Sequence, residues 1–183
     1  MITFLIIFAE IAFWVFIIIG LITRYVFKKE KLSIWLLAAT PLIDVFLLIF
    51  TFFDLKNGEE ANVVHALAAI YIGVSIAFGK QMIKWADIKF QYYFLKIDNK
   101  PAKLYGVERG KKELQGFFRH FIAYIIGATI IGGMNYLLGD STDTKALMAT
   151  WRTWSIILGI DFLISVSYYL FPTSKKEKVE KKL

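Results

Sequence analysis

The chain has 183 residues, of which 57% are hydrophobic and 17% aromatic, and its formal net charge is +7. The mean hydropathy of +0.56 is above that of soluble proteins, which excludes an ordinary water-soluble domain. The sequence contains no cysteine, so disulfides, thiolate metal sites and palmitoylation are excluded as well. The composition therefore predicts a membrane protein.

Five apolar blocks follow one another along the chain, and each approaches the ~20 residues needed to span ~30 Å of hydrocarbon. They cover residues 2–23, 33–53, 63–83, 117–138 and 147–171. Backbone groups in lipid must be satisfied internally, and the blocks lack the period-two alternation of barrel strands, so each is predicted to be a helix. The sequence predicts an all-α, polytopic membrane helix bundle over 1–172, with a basic loop at 84–116 and a disordered basic tail at 173–183.

The connections between the blocks alternate in charge, and basic segments resist translocation across a membrane. Of the 22 Lys and Arg residues, four follow block 1, ten lie from Lys80 to Arg119 and five lie in the tail, so 19 fall on one side, whereas the connections after blocks 2 and 4 are acidic. This predicts an N-terminus outside the cell and a C-terminus in the cytoplasm. Anionic lipid headgroups at the cytoplasmic face would balance the basic segments, so the net charge does not indicate nucleic-acid binding.

Block 1 lacks a basic leading region and a cleavage site, so we expect an uncleaved anchor rather than a signal peptide. Apolar residues surround nearly its whole circumference, which predicts a place at the outside of the bundle. Its one carboxylate, Glu10, would lie about 12 Å below the outer boundary at ~1.5 Å per residue.

Block 2 contains Pro41, which removes one backbone hydrogen bond and is expected to kink the helix and free carbonyls near Leu37 and Ala38. The hydroxyl of Thr40 could bond back to the helix, which is the ordinary way in which a transmembrane proline is tolerated. Asp44 follows within one turn. A carboxylate beside an interrupted helix is also how transporters present oxygen ligands to cations, and both interpretations stay open.

Small residues mark blocks 3 and 4 as the central helices, because helices in lipid need small side chains to approach closely. Block 3 has Ala69, Gly73 and Ala77 at four-residue spacing, and block 4 offers two similar pairs, Ala123 with Gly127 and Ala128 with Gly132. Block 3 is also predicted to continue past Lys84 into the cytoplasm, while residues 103–115 form a basic, partly amphipathic stretch suited to the headgroup layer.

Several polar residues lie at membrane depth, where ionisable side chains usually face a bundle interior or a cavity. Asp44 and Asp161 are both predicted near the middle of the membrane, and Glu10 lies closer to the outside. His65, Arg152 and Asn135 enter from the outer side. These residues are either an ion or substrate pathway, or a buried network in which Arg152 neutralises Glu10 or another acid.

The sequence carries no metal, cofactor or enzyme motif that names a reaction. Its two histidines, His65 and His120, are predicted at opposite ends of their spans, so they are not expected to ligate one metal or haem. Residues 73–81 have a glycine spacing one too long for a phosphate-binding loop and lack its Ser or Thr. We therefore expect no cofactor and no enzyme.

The chain resembles a known family in several segments: KKEKL at 28–32, TPLID at 40–44, YIGVSIAFGKQMIKWAD at 71–87 and GIDFLIS at 159–165. In these segments it is similar to the small uncharacterised Bacillus membrane proteins of the YmcC type. The resemblance implies a bacterial plasma-membrane protein of unassigned function. It supplies no site residues to carry over.

Two functions follow as hypotheses. In the first, the chain is a small transporter or channel subunit in which Asp44, Asp161 and Glu10 bind a cation or proton, with Arg152 balancing charge at the outer mouth. Five helices without a visible inverted repeat would then favour a homodimer or a membrane partner. In the second, it is a non-catalytic adaptor whose helix 3 extension, basic loop and tail recruit a cytoplasmic protein; a lipid-modifying enzyme ranks third.

Overall fold

The computed structural model describes residues 2–97, 104–139 and 143–172, and in these parts the chain is all-α. The predicted all-helical class is confirmed, and five helices are long and apolar enough to cross a membrane. They are α1 (Ile2–Tyr25), α2 (Glu30–Lys56), α3 (Val63–Phe94), α4 (Gly106–Leu138) and α5 (Lys145–Leu170). The predicted tail at 173–183 lies outside the described residues.

The helices form a bundle around α3, which contacts each of the other four. On one side of the bundle α1 packs on α2 and α3, and on the other α5 packs on α4 and α3. We call the two ends of the bundle inner and outer after the predicted topology. The connections after α2 and α4 lie at the outer end, and those after α1 and α3 lie at the inner end.

The largest extensions beyond the predicted spans are in α3 and α4. α3 has 32 residues and continues to Phe94, as its helical pattern predicts, while α4 has 33 residues and begins at Gly106 rather than at 117. The basic stretch before 117 is continuous with α4, because it contains good helix formers and an i,i+4 pair between Arg109 and Glu113 at 3.6 Å. At ~1.5 Å per residue the two helices reach about 48 and 50 Å, beyond the ~30 Å of hydrocarbon.

Small residues form the contact between α3 and α4, and the predicted Ala69, Gly73, Ala123 and Gly127 take part in it, whereas a Cβ atom built on Gly132 meets nothing within 4 Å. Gly73 lies against the backbone of Ala123 and Gly127, so close that a Cβ atom at Gly73 would collide with the Ala123 carbonyl oxygen. Gly127 in turn faces the Trp154 ring of α5. A Cβ atom built on Gly127 would lie 3.3 Å from the carbonyl oxygen of Ala69. The backbones of α3 and α4 therefore touch directly over this stretch.

Apolar clusters occupy the bundle interior at both ends. The outer cluster joins four helices around the fully buried Leu55, Ile131 and Leu147. The inner cluster joins α1, α2 and α3 through Ile17, Leu37 and Phe90. The outward-facing residues are also large and apolar, for example Phe4 and Leu163, which suits a surface covered by lipid tails.

Candidate functional site

Asp44 of α2 is the most deeply buried carboxylate among the described residues, with 8% of its surface exposed. Ser75 of α3 donates a short hydrogen bond from its hydroxyl to Asp44 Oδ2. A second contact between α2 and α3 joins Asp54 to His65. Asp44 lies ten residues before Asp54 and Ser75 lies ten residues after His65, so Asp44 and Ser75 are at the same depth on these two antiparallel helices. No ion pair joins Asp44 to a basic side chain anywhere in the described parts of the chain.

Asp44 and Ser75 line a cavity of about 300 Å³ between α1, α2 and α3. Its other walls are mostly apolar and aromatic: Ala9, Phe13, Trp14, Tyr71, Val74 and Met82. The Asp44 carboxylate, the Ser75 hydroxyl and the Tyr71 hydroxyl are polar groups of its described lining. Such a concave, largely apolar space with one convergent polar pair is the usual form of a binding site for a small ligand or ion.

A larger cleft of about 510 Å³ continues from this cavity toward the inner end. The two spaces share Phe13, Ser75 and Met82. Arg24 and Lys80 line the inner part of the cleft, Thr40 and Ser75 contribute hydroxyl groups, and the other described lining residues are apolar. On the outer side, Ala9, Leu47 and Ala68 pack together and close the space between the helices. Asp44 is therefore connected to the inner end and shielded from the outer end.

Pro41 lies inside α2 and lines the same cleft. The carbonyl of Leu37, which a proline at position 41 leaves without its backbone donor, accepts a hydrogen bond of 3.0 Å from Thr40 Oγ1. Of the two interpretations of Pro41, this contact favours the ordinary one, in which a hydroxyl of the same helix bonds to the freed carbonyl, because that oxygen already has a donor. Among the described residues, the side-chain oxygen atoms that line the cavity are those of Asp44, Ser75 and Tyr71.

Asp161 of α5 is paired with His120 of α4, with 2.8 Å between Asp161 Oδ2 and His120 Nδ1. The same imidazole packs on Phe78 of α3, with ring centroids 4.8 Å apart. Asp161 is not among the described residues that line the cavity around Asp44. Asp44 contacts Ser75 of α3, and His120, the partner of Asp161, contacts Phe78 three residues further along α3. The two acids are therefore close in depth but have different partners.

The remaining candidates lie apart from Asp44. Arg152 is exposed on α5 and forms no ion pair with another described residue. Asn135 accepts a 2.5 Å hydrogen bond from Thr144 Oγ1, which ties the end of α4 to the start of α5. The side chain of Glu10 lies outside the described residues.

His65 is fully buried at the outer end and has a structural partner on each side of its ring. Its Nδ1 accepts from the Asn62 backbone N–H at 3.1 Å, so Nε2 carries the proton and donates to Asp54 Oδ2 at 3.3 Å. The Asn62 side chain in turn accepts from the His65 backbone N–H, which completes a capping box at the start of α3. His65 therefore holds the α2–α3 connection rather than lining the cavity.

Two polar networks were not anticipated from the sequence. At the inner end Tyr25 donates to Asp87 at 2.6 Å and accepts from Gln91 at 2.7 Å, which joins α1 to α3. Between α4 and α5, Trp151 donates to the hydroxyl of Tyr124 at 2.9 Å. Counting along the chain does not find these pairs, because α1 and α3 are not joined by a connection and helix rotation decides which side chains of α4 and α5 meet.

Counting along antiparallel helices does place His120 and Asp161 at similar depth, because they lie 15 and 17 residues from Asn135 and Thr144, which are in contact. Among the described residues, no group of three or more His, Asp or Glu side chains could hold a metal ion. The chemistry that the described side chains offer at membrane depth is thus proton or cation binding by carboxylates and hydrogen bonding by hydroxyls and imidazoles.

Comparison with known proteins identifies the family. The chain is 50% identical over 182 residues to the uncharacterized membrane protein YmcC of Bacillus subtilis strain 168, and the match covers all of this chain and 97% of that protein. The chain belongs to the YmcC family. The predicted resemblance is confirmed, and a YmcC-family protein with five membrane-spanning helices is a multi-pass protein of the cell membrane.

Two further comparisons gave no match. No family model matches the chain. No solved structure matches it either. YmcC-family membership therefore supports the membrane location, and the function has to be argued from the site itself.

Proposed function

We propose that this protein is a small transporter or channel subunit in which Asp44 binds and releases a proton or a small cation. The observation that carries the proposal is a buried carboxylate that lines a cavity, bonds to a serine hydroxyl and has no described basic partner. A buried carboxylate without a counter-charge is costly in a low-dielectric surrounding. Binding of a proton or a cation removes that cost, so the site favours an exchangeable positive charge.

The shape of the surrounding space supports access from one side. The cleft leads from Ser75 toward Arg24 and Lys80 at the inner end, while Leu47 and Ala68 close the outer side. This arrangement corresponds to a site open toward the predicted cytoplasm. In a transporter, a second arrangement of α1 and α2 against α3 would open the outer side, and the pair of Asp161 and His120 would offer a further protonatable site at similar depth.

Flux through liposomes tests the proposal. Purified protein is reconstituted, and proton, Na⁺ and K⁺ movement is followed with ion-sensitive dyes under a pH or ion gradient. Asp44→Asn keeps the shape of the side chain and removes the ionisable group, so we expect at least a tenfold loss of flux. Asp143→Asn makes the same chemical change at an exposed position and should retain wild-type flux.

Three results would contradict this function. Wild-type protein that carries none of the three ions would exclude it, and so would Asp44→Asn with wild-type flux. Equal loss in Asp44→Asn and Asp143→Asn would show that the flux depends on overall charge or reconstitution and not on the Asp44 site. Ser75→Ala provides a graded check, because removal of the hydroxyl leaves the carboxylate in place and should change ion affinity rather than abolish flux.

A second candidate function, a membrane adaptor, is favoured by the inner ends of α3 and α4. These helices are longer than a membrane span and reach Phe94 and Gly106. Together with the basic residues 84–116, they would present a helical surface to a cytoplasmic partner. Exchange of the exposed residues of the basic loop 84–116 and of the tail 173–183 for unrelated basic sequence separates the candidates, because an adaptor would lose its cellular phenotype and a transporter would keep it.

A further inference from the structure

A cleft of about 450 Å³ lies between α3 and α4 at the inner end, away from Asp44. The charged residues that line it, among those that the structure describes, belong to α4: Arg109, Lys112, Glu113 and Arg119. Gln81 of α3 and the residues just before α4, Leu104 and Tyr105, complete the walls. Three basic side chains and one acidic side chain therefore meet in one concave space.

The basic residues converge because of their spacing along α4. Positions 109, 112, 116 and 119 are separated by three, four and three residues, which places them on one face of a helix. Gly116 lies in the middle of this face, and a Cβ atom built there would meet nothing within 4 Å. The glycine therefore leaves open space between the cations above and below it.

Two of the three cations are held in position by neighbours. The Arg109 guanidinium stacks on the ring of Tyr168, 4.4 Å from its centroid, and its Nε lies 3.6 Å from Glu113. Arg119 faces Gln81, which accepts from the guanidinium when its amide oxygen points toward it. Lys112 is exposed and forms no ion pair with another described residue. Like charges on one helix face repel, so the cleft favours an anion that would relieve the repulsion.

We propose that this cleft binds the phosphate group of an anionic ligand. Two guanidinium groups and one ammonium match the charge and the hydrogen-bond acceptors of a phosphate, and arginine is suited to bidentate contact with it. Gln81 lies between Lys80 and Lys84 on α3, at the predicted level of the cytoplasmic headgroups. The phosphate can thus belong to a phospholipid headgroup or to a soluble phosphate compound, and the two sources are separable by experiment.

Adjacent lysines provide the matched test. Lys111 and Lys112 are both exposed on α4, but only Lys112 lines the cleft. Lys112→Gln and Lys111→Gln therefore remove the same charge from the same turn. A third variant, Gly116→Leu, fills the open space without changing any charge, and its unchanged helical circular dichroism would show that the fold is kept.

One arm tests the lipid source. The three variants and the wild type are placed in phosphatidylcholine nanodiscs containing a minority of phosphatidylglycerol, and retained phosphatidylglycerol is counted by native mass spectrometry. If the headgroup binds, Lys112→Gln should weaken retention about fivefold, as expected for loss of ~1 kcal/mol of attraction. Gly116→Leu should abolish the retained molecule, and Lys111→Gln should match the wild type.

The other arm tests a soluble source. In pure phosphatidylcholine nanodiscs, inorganic phosphate is compared with chloride at equal ionic strength, and thermal stability is measured. A rise in Tm with phosphate for the wild type and Lys111→Gln, absent in Lys112→Gln and Gly116→Leu, would identify the free anion. Binding in neither arm would overturn the proposal. Equal losses in Lys111→Gln and Lys112→Gln would also overturn it, because they would show diffuse surface charge instead of a site.

Discussion

The two sides of α3 are built differently. At the depth of Gly73 the backbones of α3 and α4 touch, and the cleft between these two helices lies only at their inner ends, whereas toward α1 and α2 a cavity and a cleft surround Asp44. Close backbone contact stabilises helices in lipid, where no hydrophobic force draws them together. A loosely packed interface gives up part of that stability and provides room for a ligand. Near the middle of the bundle, the side of α3 that faces α4 holds the helices together, whereas the side that faces α1 and α2 can bind a ligand and can move.

The largest effect is expected from a substitution on the tightly packed side of α3, which faces α4. Gly73→Ala places a methyl group against the Ala123 carbonyl, which is backbone and cannot move away, so we expect a loss of about 3 kcal/mol in the free energy of unfolding. Gly79→Ala is the matched control, because a Cβ atom at that position meets nothing within 4 Å. Tm in detergent measures both. Equal stability of the two variants would mean that α3 and α4 are farther apart than described.

A smaller effect is expected at the outer end, on the loosely packed side of α3, which faces α1 and α2. There His65 joins α2 to α3. His65→Leu removes the acceptor of the Asn62 N–H and the donor to Asp54, and we expect a loss of about 2 kcal/mol. Hydrogen exchange at the first turn of α3 should also become faster. Glu59→Gln, an exposed change in the same connection, should alter neither quantity. If His65→Leu also altered neither, His65 would not be the residue that joins α2 to α3.

The loose side should respond in the opposite direction. Asp44→Asn replaces a buried carboxylate by a neutral amide that can still bond to Ser75, so the free energy of unfolding should stay constant or rise by up to about 1 kcal/mol. Chemical unfolding in detergent would measure this. A loss as large as that of Gly73→Ala would show that Asp44 holds the bundle together and would remove the contrast between the two sides.

The smallest effect concerns the exposed connection on the tight side. The backbone N–H of Lys145 bonds to Asp143 Oδ1 at 3.0 Å, and its ammonium lies 3.0 Å from Oδ2, so the pKa of Asp143 is lowered. The folded state therefore gains a little stability above the unfolded pKa and loses it as pH falls through the folded pKa. Titration by NMR should show this low pKa, and Lys145→Gln should raise it only partly because the backbone bond persists. An ordinary pKa in the wild type would contradict the described contact.

Most of the fold was predictable from the sequence. The length and polarity of the apolar blocks identify five helices, and the spacing of Ala69, Gly73 and Ala77 identifies the contact face of α3. The start of α4 at Gly106 was missed because basic residues there were assigned to the membrane surface, although they are good helix formers. Hydropathy marks where the lipid ends and carries little information on where a helix ends.

The site was less predictable, and the reason is geometric. The sequence shows that Asp44 and Asp161 lie at membrane depth, but depth alone does not determine which way each side chain points. Asp161 meets His120, which had been assigned to the inner boundary, and His65 meets Asp54 instead of lining a pathway. Side-chain partners across a bundle depend on helix rotation, which the apolar pattern of lipid-facing helices defines poorly.

The capping contacts at the outer end bear on how the protein is assembled. Asp54, Asn62 and His65 lie within twelve consecutive residues, so their contacts need only α2 and the first turn of α3. Synthesis delivers the N-terminal helices first. We therefore expect this turn to fix the α2–α3 hairpin before α4 has been made. Until then the small-residue face of α3 is in contact with lipid, ready to receive α4 when it enters the membrane.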